Sequence, residues 1–418
     1  MQLEKLLDGV KLTVKAVQDV EISGICYDTR QMIPGCLFVA PPGYKTDGHR
    51  FIREALDRGA VAVLCRHAPE GPGPWLVTGD PRSALAAISA NWFGHPAEEL
   101  TIIGVTGTNG KTTTTYLLKA MLEEAASARV GLIGTNRNMI GGESLPAQRT
   151  TPESWEVQKL LREMADAGCS HVVMEVSSHA LAQSRVEGLP FQAEVSTNLT
   201  QDHLDYHGTM EDYRIAKGLL FRQCRRGVLN LDDEAGRWYL QHISCPAFTY
   251  SERRDEAHLT AHNLQVYPDR VEFEAVTLDQ IAHIQLPIPG GFSIYNALGD
   301  FRDLSFDRAG IHLHFFFFLD SIGKKQIIVG FFTYTYRIPD RNNLVLLDID
   351  HCILFHQLRI ILERDKIGGL AADIQQQREG GSISQVLYLS LCRSHILLFV
   401  GDTSLDHFQE QICQMQCL

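Results

Sequence analysis

Apolar and polar positions alternate along this chain in short blocks punctuated by Gly and Pro. Within residues 1–97, Gly35-Cys-Leu-Phe-Val-Ala40 and Ala60-Val-Ala-Val-Leu-Cys65 are apolar runs too short for helices, and they predict buried strands. Phe51 to Arg58 between them predicts a helix. A second unit starts near Glu98. Its pattern predicts strand 101–106, a loop, helix 111–126, strand 130–135, helix 153–167, then strands 171–177, 193–198 and 227–231. Strands alternating with helices imply a parallel sheet with helices on both faces. The fold class is therefore α/β. A small α/β domain occupies residues 1–97, and a doubly wound, mostly parallel sheet domain occupies residues 98–300.

The pattern breaks near residue 300. Residues 1–300 hold 29 alanines and residues 301–418 hold 3, while 11 of the 19 phenylalanines follow residue 300. Neither the helical nor the strand period is legible there. Residues 301–418 are thus a segment of uncertain fold. One reading is a third domain of unusual composition. The favoured expectation is a tail that did not evolve with the first 300 residues, as a reading-frame error would produce.

Composition narrows the function. A hydrophobic content of 44% suits a globular core. A net charge of −12 argues against nucleic acid as the main partner, because phosphate contacts need clustered Lys and Arg. Any polyanionic substrate must then be held by local loops and metal. The opening Met-Gln-Leu-Glu-Lys lacks the apolar core of a signal peptide, and no apolar run reaches membrane-spanning length. Ten cysteines without C-x-x-C pairs read as reduced thiols. A cytoplasmic monomer that enters no membrane is expected.

Three stretches carry chemistry. In Thr101-Ile-Ile-Gly-Val-Thr-Gly-Thr-Asn-Gly-Lys-Thr-Thr113 an apolar run feeds a Gly-rich turn that opens a helix. Such a turn wraps phosphates with backbone N–H groups, Lys111 adds positive charge, and the Thr112 hydroxyl can ligate Mg²⁺. Val105 stands where the usual G-x-x-x-x-G-K-[ST] pattern has its first Gly, and a plain turn is the competing reading. His171-Val-Val-Met-Glu-Val-Ser-Ser-His179 is a strand ending in polar side chains, where Glu175 suits a hard cation. Ser196-Thr-Asn-Leu-Thr-Gln-Asp-His-Leu-Asp-Tyr-His-Gly208 crowds Asp202, His203, Asp205 and His207 into one loop. Two metal-binding clusters beside a phosphate loop suggest Mg²⁺-assisted phosphoryl transfer. Lys217, on its own, is an ordinary helix lysine.

Gly107-Thr-Asn-Gly-Lys-Thr-Thr113, Met174-Glu-Val-Ser-Ser-His179, Thr197-Asn-Leu-Thr-Gln-Asp-His-Leu-Asp-Tyr-His207 and Phe292-Ser-Ile-Tyr-Asn296 together resemble the Mur ligases, and within them the MurE type. The resemblance runs from about residue 20 to 298. It implies a UDP-binding first domain and a central ATP-binding domain. It implies that Gly107, Thr108, Asn109, Gly110, Lys111, Thr112 and Thr113 cradle ATP phosphates and that Asn296 contacts adenine. Thr112, Glu175, His203 and Lys217 would form the Mg²⁺ environment, with Lys217 carbamylated, and Lys111, Lys217 and His203 would serve catalysis. Thr150, Thr151, Ser177, Gln183 and Arg185 would hold UDP-MurNAc-dipeptide, with Arg149 where some members have asparagine. Tyr27-Asp-Thr-Arg30 and Gly43-Tyr-Lys-Thr-Asp-Gly-His49 resemble the uridine loops, with Thr29 at the usual serine.

The implied activity is ATP-dependent addition of a diamino acid, meso-diaminopimelate first and L-lysine second, to UDP-N-acetylmuramoyl-L-alanyl-D-glutamate. The family's Rossmann-like third domain should follow Asn296, yet its Gly-Arg-x-Glu and Asp-Asn-Pro-Arg-like elements are not found there. Two alternatives stay open. One is another ligase of the superfamily, such as a folylpolyglutamate synthase. The other is a non-catalytic binder or inactive remnant that keeps the nucleotide and UDP-sugar sites.

Overall fold

A computed structural model of the chain describes residues 1–300 apart from 44–45, 126–127 and 279–280. Beyond them it describes only the strands 315–316, 386–392 and 395–401. The expectation of a mismatched tail therefore falls almost wholly outside the described residues. The chain clusters into two compact units, the first holding residues 1–262, 276–279 and 291–304.

The first unit opens with a small sheet. α1 (Leu3–Leu6) leads to β1 (Val14–Lys15), β2 (Ile25–Cys26), β3 (Leu37–Val39), α2 (Ile52–Asp57), β4 (Ala62–Cys65), β5 (Trp75–Val77) and α3 (Pro81–Phe93). Strand order is β1-β5-β4-β3-β2, parallel except for the edge strand β1. The apolar runs read from the sequence are these strands, buried throughout β3 and β4 because both faces are covered. Asp80 starts α3 by accepting from the backbone N–H groups of Arg82 (2.9 Å) and Ser83 (3.3 Å), and Pro81 follows with φ preset. Gly94 ends the helix in the left-handed conformation.

The larger sheet follows. Its elements are β6 (Thr101–Thr106), α4 (Lys111–Ala125), β7 (Val130–Ile133), β8 (Arg137–Ile140), β9 (Glu143–Pro146), α5 (Ser154–Asp166), β10 (His171–Glu175), α6 (Ser178–Ala182), β11 (Phe191–Ser196), α7 (Leu204–His207), α8 (Met210–Gly218), β12 (Gly227–Asn230), α9 (Glu234–His242), β13 (Ala247–Ser251) and β14 (Leu259–Val266). The order is β14-β13-β12-β11-β6-β10-β7-β8-β9. All pairs from β14 to β7 are parallel, and the β7-β8-β9 edge is antiparallel. The half-exposed β8–β9 hairpin escapes sequence reading because its apolar alternation is weak.

The chain leaves β6 for β7, returns to β10 between them, then crosses to β11 on the other side of β6. This reversal is a topological switch point, and the crevice outside the carboxyl ends of β6, β10 and β11 is where such sheets bind ligands. The core beneath it gathers Ile102, Val157, Leu161, Met164, Val172, Met174 and Phe191, all buried. Trp155 of α5 packs instead against the first sheet's core, 4.6 Å from the Phe93 ring and 5.9 Å from the Trp92 ring.

In the second unit β15 (Val271–Val276) and β16 (Ile281–Leu286) lie side by side, and β15 alternates buried and half-buried positions. α10 (Phe292–Asp300) returns to the first unit and packs on α4, β12 and β13. Later come β17 (Phe315–Phe316) and the antiparallel pair β18 (Val386–Cys392) and β19 (His395–Gly401).

Leu161 is fully buried under the switch point. Leu161→Ala is expected to destabilise the first unit by about 2–5 kcal/mol. A urea titration followed by tryptophan fluorescence should show a lower midpoint, and an unchanged midpoint would refute this account of the core.

Candidate functional site

The phosphate-type loop occupies the switch point. Gly107 (φ 140°) and Gly110 (φ 87°) adopt conformations that L side chains rarely reach. The loop is also crowded. A Cβ on Gly107 would collide with the Thr197 hydroxyl, and one on Gly110 with the Asn296 side-chain oxygen. The β11 loop holds it from across the crevice: Thr108 N donates to Asn198 O at 2.8 Å, Asn109 N to Asn198 Oδ1 at 3.0 Å, and Thr197 Oγ1 to Asn109 O at 2.6 Å. Strand β11 therefore ends at Ser196, short of the expected 198, because Thr197 and Asn198 are spent on this contact.

The first intrahelical bond of α4 runs from Thr114 N to Gly110 O at 2.9 Å. The amides of the first turn, Thr112 and Thr113 included, thus face the crevice as an anion site. Lys111 Nζ lies 2.9 Å from both Gly107 O and Thr108 O, and burial lowers its pKa against the pull of Glu175 and Asp202.

Glu175, fully buried at the end of β10, is the neighbouring anchor. Its Oε2 lies 3.1 Å from Thr112 Oγ1 and 2.9 Å from Thr135 Oγ1, and its Oε1 accepts from Thr135 N at 2.9 Å. Thr150 stands 3.0 Å from the Thr135 hydroxyl. Thr151 Oγ1 donates to Glu175 O at 2.8 Å and accepts from Ser177 N at 3.0 Å, while Ser177 caps α6 through Ala180 N.

Lys217 is where sequence reading alone placed least weight. α8, capped by Thr209, delivers it 2% exposed, with Nζ 2.8 Å from Gly107 O and 4.8 Å from the Tyr213 ring centre. Burial, with Lys111 second, lowers its pKa to about 7. Glu194 of β11 is fully buried, and neither carboxylate oxygen has a hydrogen-bond partner. Burial pushes its pKa well up, against the pull of Lys217. No sequence signal marked Glu194.

The expected second ligand loop gathers His203 and His207 around the His179 ring without closing a cage. Among the described residues no three His, Cys, Asp or Glu side chains converge as a metal cage. His203 takes a left-handed backbone (φ 51°) and faces the His179 ring at 4.8 Å, with Asp202 3.4 Å away. His207 turns to Ser178 Oγ at 2.9 Å. Positions 203 and 207 lie one helical turn apart on the same face, and the His207 ring also meets His179, at 5.6 Å. The pair that fits a hard divalent cation is Thr112 with Glu175, because both present oxygen beside the phosphate loop.

One cavity borders the loop, and a second opens beside the first sheet. One, of about 260 Å³, is lined by Asn109, Gly110, Asn198, Asn230, Asp232 and Asn296 among others. Asn296 is 4% exposed, and its Nδ2 has no partner. The other, of about 500 Å³, brings Tyr27 and Thr29 together with Gly43, Arg82, Arg149 and Glu153. Glu153 gathers three guanidiniums there: Arg185 at 3.0 Å, Arg82 at 3.4 Å, and Arg149. Gln183 joins Arg185 (2.7 Å) to the Tyr206 hydroxyl (3.1 Å). Arg82 and Glu153 escaped sequence reading, although Asp80-Pro-Arg82 signals a helix start.

Comparison with known proteins gives the following matches. The Mur ligase middle domain model matches residues 105–300, and the model of the Mur ligase family catalytic domain matches residues 21–91. The UDP-N-acetylmuramoyl-L-alanyl-D-glutamate--2,6-diaminopimelate ligase of Caldanaerobacter subterraneus subsp. tengcongensis is 44% identical over 301 residues, 71% of this chain and 62% of that protein. The protein of the same name from Clostridium botulinum is 41% identical over 304 residues, 72% of this chain and 62% of that one. A solved structure of a UDP-N-acetylmuramoyl-L-alanyl-D-glutamate--2,6-diaminopimelate ligase has a TM-score of 0.64 at 27% identity, covering 73% of this chain and 64% of that one. A MurF structure from Acinetobacter baumannii shares the fold, with a TM-score of 0.52 at 19% identity over 80% of this chain and 73% of that one. The chain spans about three fifths of the length of the curated relatives it matches.

Gly107→Ala is expected to weaken ATP binding at least tenfold in calorimetry, because about 1–3 kcal/mol of backbone strain joins the collision with Thr197. Gly142 has open space around its Cβ position, so Gly142→Ala should bind as the parent does. Equal affinity in both variants would refute the close-approach argument.

Proposed function

The chain belongs to the Mur ligase family, and from that premise we propose that it is an ATP-dependent amide ligase of peptidoglycan synthesis. Its substrates are UDP-N-acetylmuramoyl-L-alanyl-D-glutamate and a diamino acid, meso-diaminopimelate before L-lysine. The names of the relatives support that ranking. The observation that carries the reading is the convergence of Lys111 and the distant Lys217 on one carbonyl, Gly107 O, in the wall of the loop.

Each part has a place in that reaction. Adenine occupies the cavity under Asn296, whose unpartnered Nδ2 supplies a donor there. The phosphates lie on the amides from Gly107 to Thr113, with Lys111 turning from the loop carbonyls toward them. The nucleotide-sugar occupies the larger cavity by Thr29, and its peptide runs along Thr150, Thr151, Ser177, Gln183 and Arg185. The free D-glutamyl carboxylate attacks the terminal phosphorus of ATP, the bond to the β-phosphate breaks, and ADP leaves. The diamino acid's amine then adds to the acyl phosphate, and phosphate departs from the tetrahedral intermediate. The protein contributes positioning and fixed charge.

Thr112 and Glu175 would hold Mg²⁺, with His203 and a carbamylated Lys217 completing its surroundings. When bound, the metal would neutralise phosphate charge. A lysine lowered to about 7 exposes free amine at neutral pH, and free amine is the form that combines with CO2, releasing one proton as the carbamate forms. A cytoplasmic monomer is consistent with this chemistry, and no helix among the described residues is long and apolar enough to cross a membrane.

The test is ADP release by the full chain with UDP-N-acetylmuramoyl-L-alanyl-D-glutamate and Mg²⁺, adding meso-diaminopimelate or L-lysine separately. Release that depends on one of them is expected, and Lys217→Ala should lower it by on the order of 10²–10³-fold. Nucleotide binding without amino-acid-dependent ADP release would favour the non-catalytic reading. Release that needs glutamate and a folate would favour a folylpolyglutamate synthase.

A further inference from the structure

Cys224 and Cys245 are 21 positions apart in sequence, and their sulfurs stand 3.6 Å from each other. Cys224 follows the turn Leu219–Arg222 after α8 and bridges to Phe191 of β11. Cys245 precedes β13. The parallel register Gly227↔Ala247 lays the two lead-in segments side by side, fixed by Gly227 N donating to Pro246 O at 2.9 Å. A disulfide spans roughly 4.4–6.8 Å between Cα atoms, and the 3.6 Å between these sulfurs leaves a short approach to bonding distance. Both thiols are half-buried, whereas Cys26, Cys36, Cys65 and Cys169 are buried. Arg222, Arg225 and Arg226, all exposed, give the surrounding chain positive charge.

We propose that Cys224 and Cys245 form a redox-active dithiol that closes to an intramolecular disulfide by exchange with a small anionic disulfide, of which glutathione disulfide is the probe. The electron balance is internal to the exchange. One of the two protein thiolates attacks one sulfur of the reagent. A protein–reagent bond forms, the reagent's S–S bond breaks, and one small thiol leaves. The other cysteine then attacks that protein sulfur, the protein disulfide forms, and the second small thiol leaves. The two protons lost by the protein thiols go to the two departing thiols.

Either thiol can attack first, because both are half-buried and burial is the leading cause that raises each. Burial raises both thiols, so the exchange is slow at neutral pH. The bridge would tie the turn that follows the Lys217 helix to the head of β13. The far end of β13 leads into Arg253 of the smaller cavity. The site thus couples a surface thiol pair to the frame of the nucleotide site without using any residue of the proposed chemistry.

The test incubates the full chain with glutathione disulfide, alkylates it in denaturant, and maps all ten cysteines by mass spectrometry. The expected result is a Cys224–Cys245-linked peptide that dithiothreitol abolishes, with Cys26, Cys36, Cys65 and Cys169 alkylated. Cys224→Ser and Cys245→Ser should each lose the linked peptide and stop at a glutathione adduct on the cysteine that remains. Free thiols at both positions, a stable adduct on the parent chain without the link, or links to other cysteines would each overturn the proposal.

Discussion

Everything at the centre of this molecule depends on how closely the backbone of residues 107–110 approaches the end of β11. No side chain fits between them, so two glycines stand in conformations other residues avoid, and Thr197 and Asn198 use their hydrogen-bonding groups to hold the loop. The contact is made at the reversal of strand order. It therefore also sets the distance from the loop to β10, which carries Glu175, and to α8, which carries Lys217. A packed sheet transmits such positions because its strands cannot slide by a fraction of a residue.

The charges around the loop follow from that closeness. Lys111 and Lys217 share Gly107 O; burial disfavours both cations, and for Lys217 the Lys111 charge adds to the effect. Glu175 is satisfied by hydroxyls and an amide, as a buried carboxylate must be. Glu194 has no such partners, so burial favours its neutral form. Burial on the cationic side and acceptor capacity at Glu175 are the features on which the proposed binding of phosphate and a divalent cation rests.

The first sheet is held to the second by few but varied contacts. Trp155 fills a place in the first sheet's core, Tyr27 donates to Glu156, and Ser83 donates to Glu187 at 2.7 Å. Glu153 draws Arg82 of the first sheet's helix together with Arg149 and Arg185. The larger cavity sits among these residues, so binding there and the packing of the two sheets rest on the same side chains.

The sequence determined by itself the main strands, the helices α2, α4 and α5, the glycine loop, and the placing of polar clusters after strands, because apolar periodicity and glycine spacing are local properties, but α3 and α6 to α9 were not read from it. The strands at 37–39, 62–65, 101–106 and 171–175 were legible for that reason, whereas the β8–β9 hairpin, with one face wet, was not. Lys217 shows the limit: its own helix gives no hint that Nζ ends at a carbonyl 110 positions earlier in the chain. Only the tertiary structure decided that Lys217 is buried, that His203 and His207 gather around His179, that Arg82 and Glu153 line a cavity, and that Cys224 meets Cys245. Each of these depends on which strands become neighbours. That choice is made by packing across the whole sheet, and no short window of residues contains it.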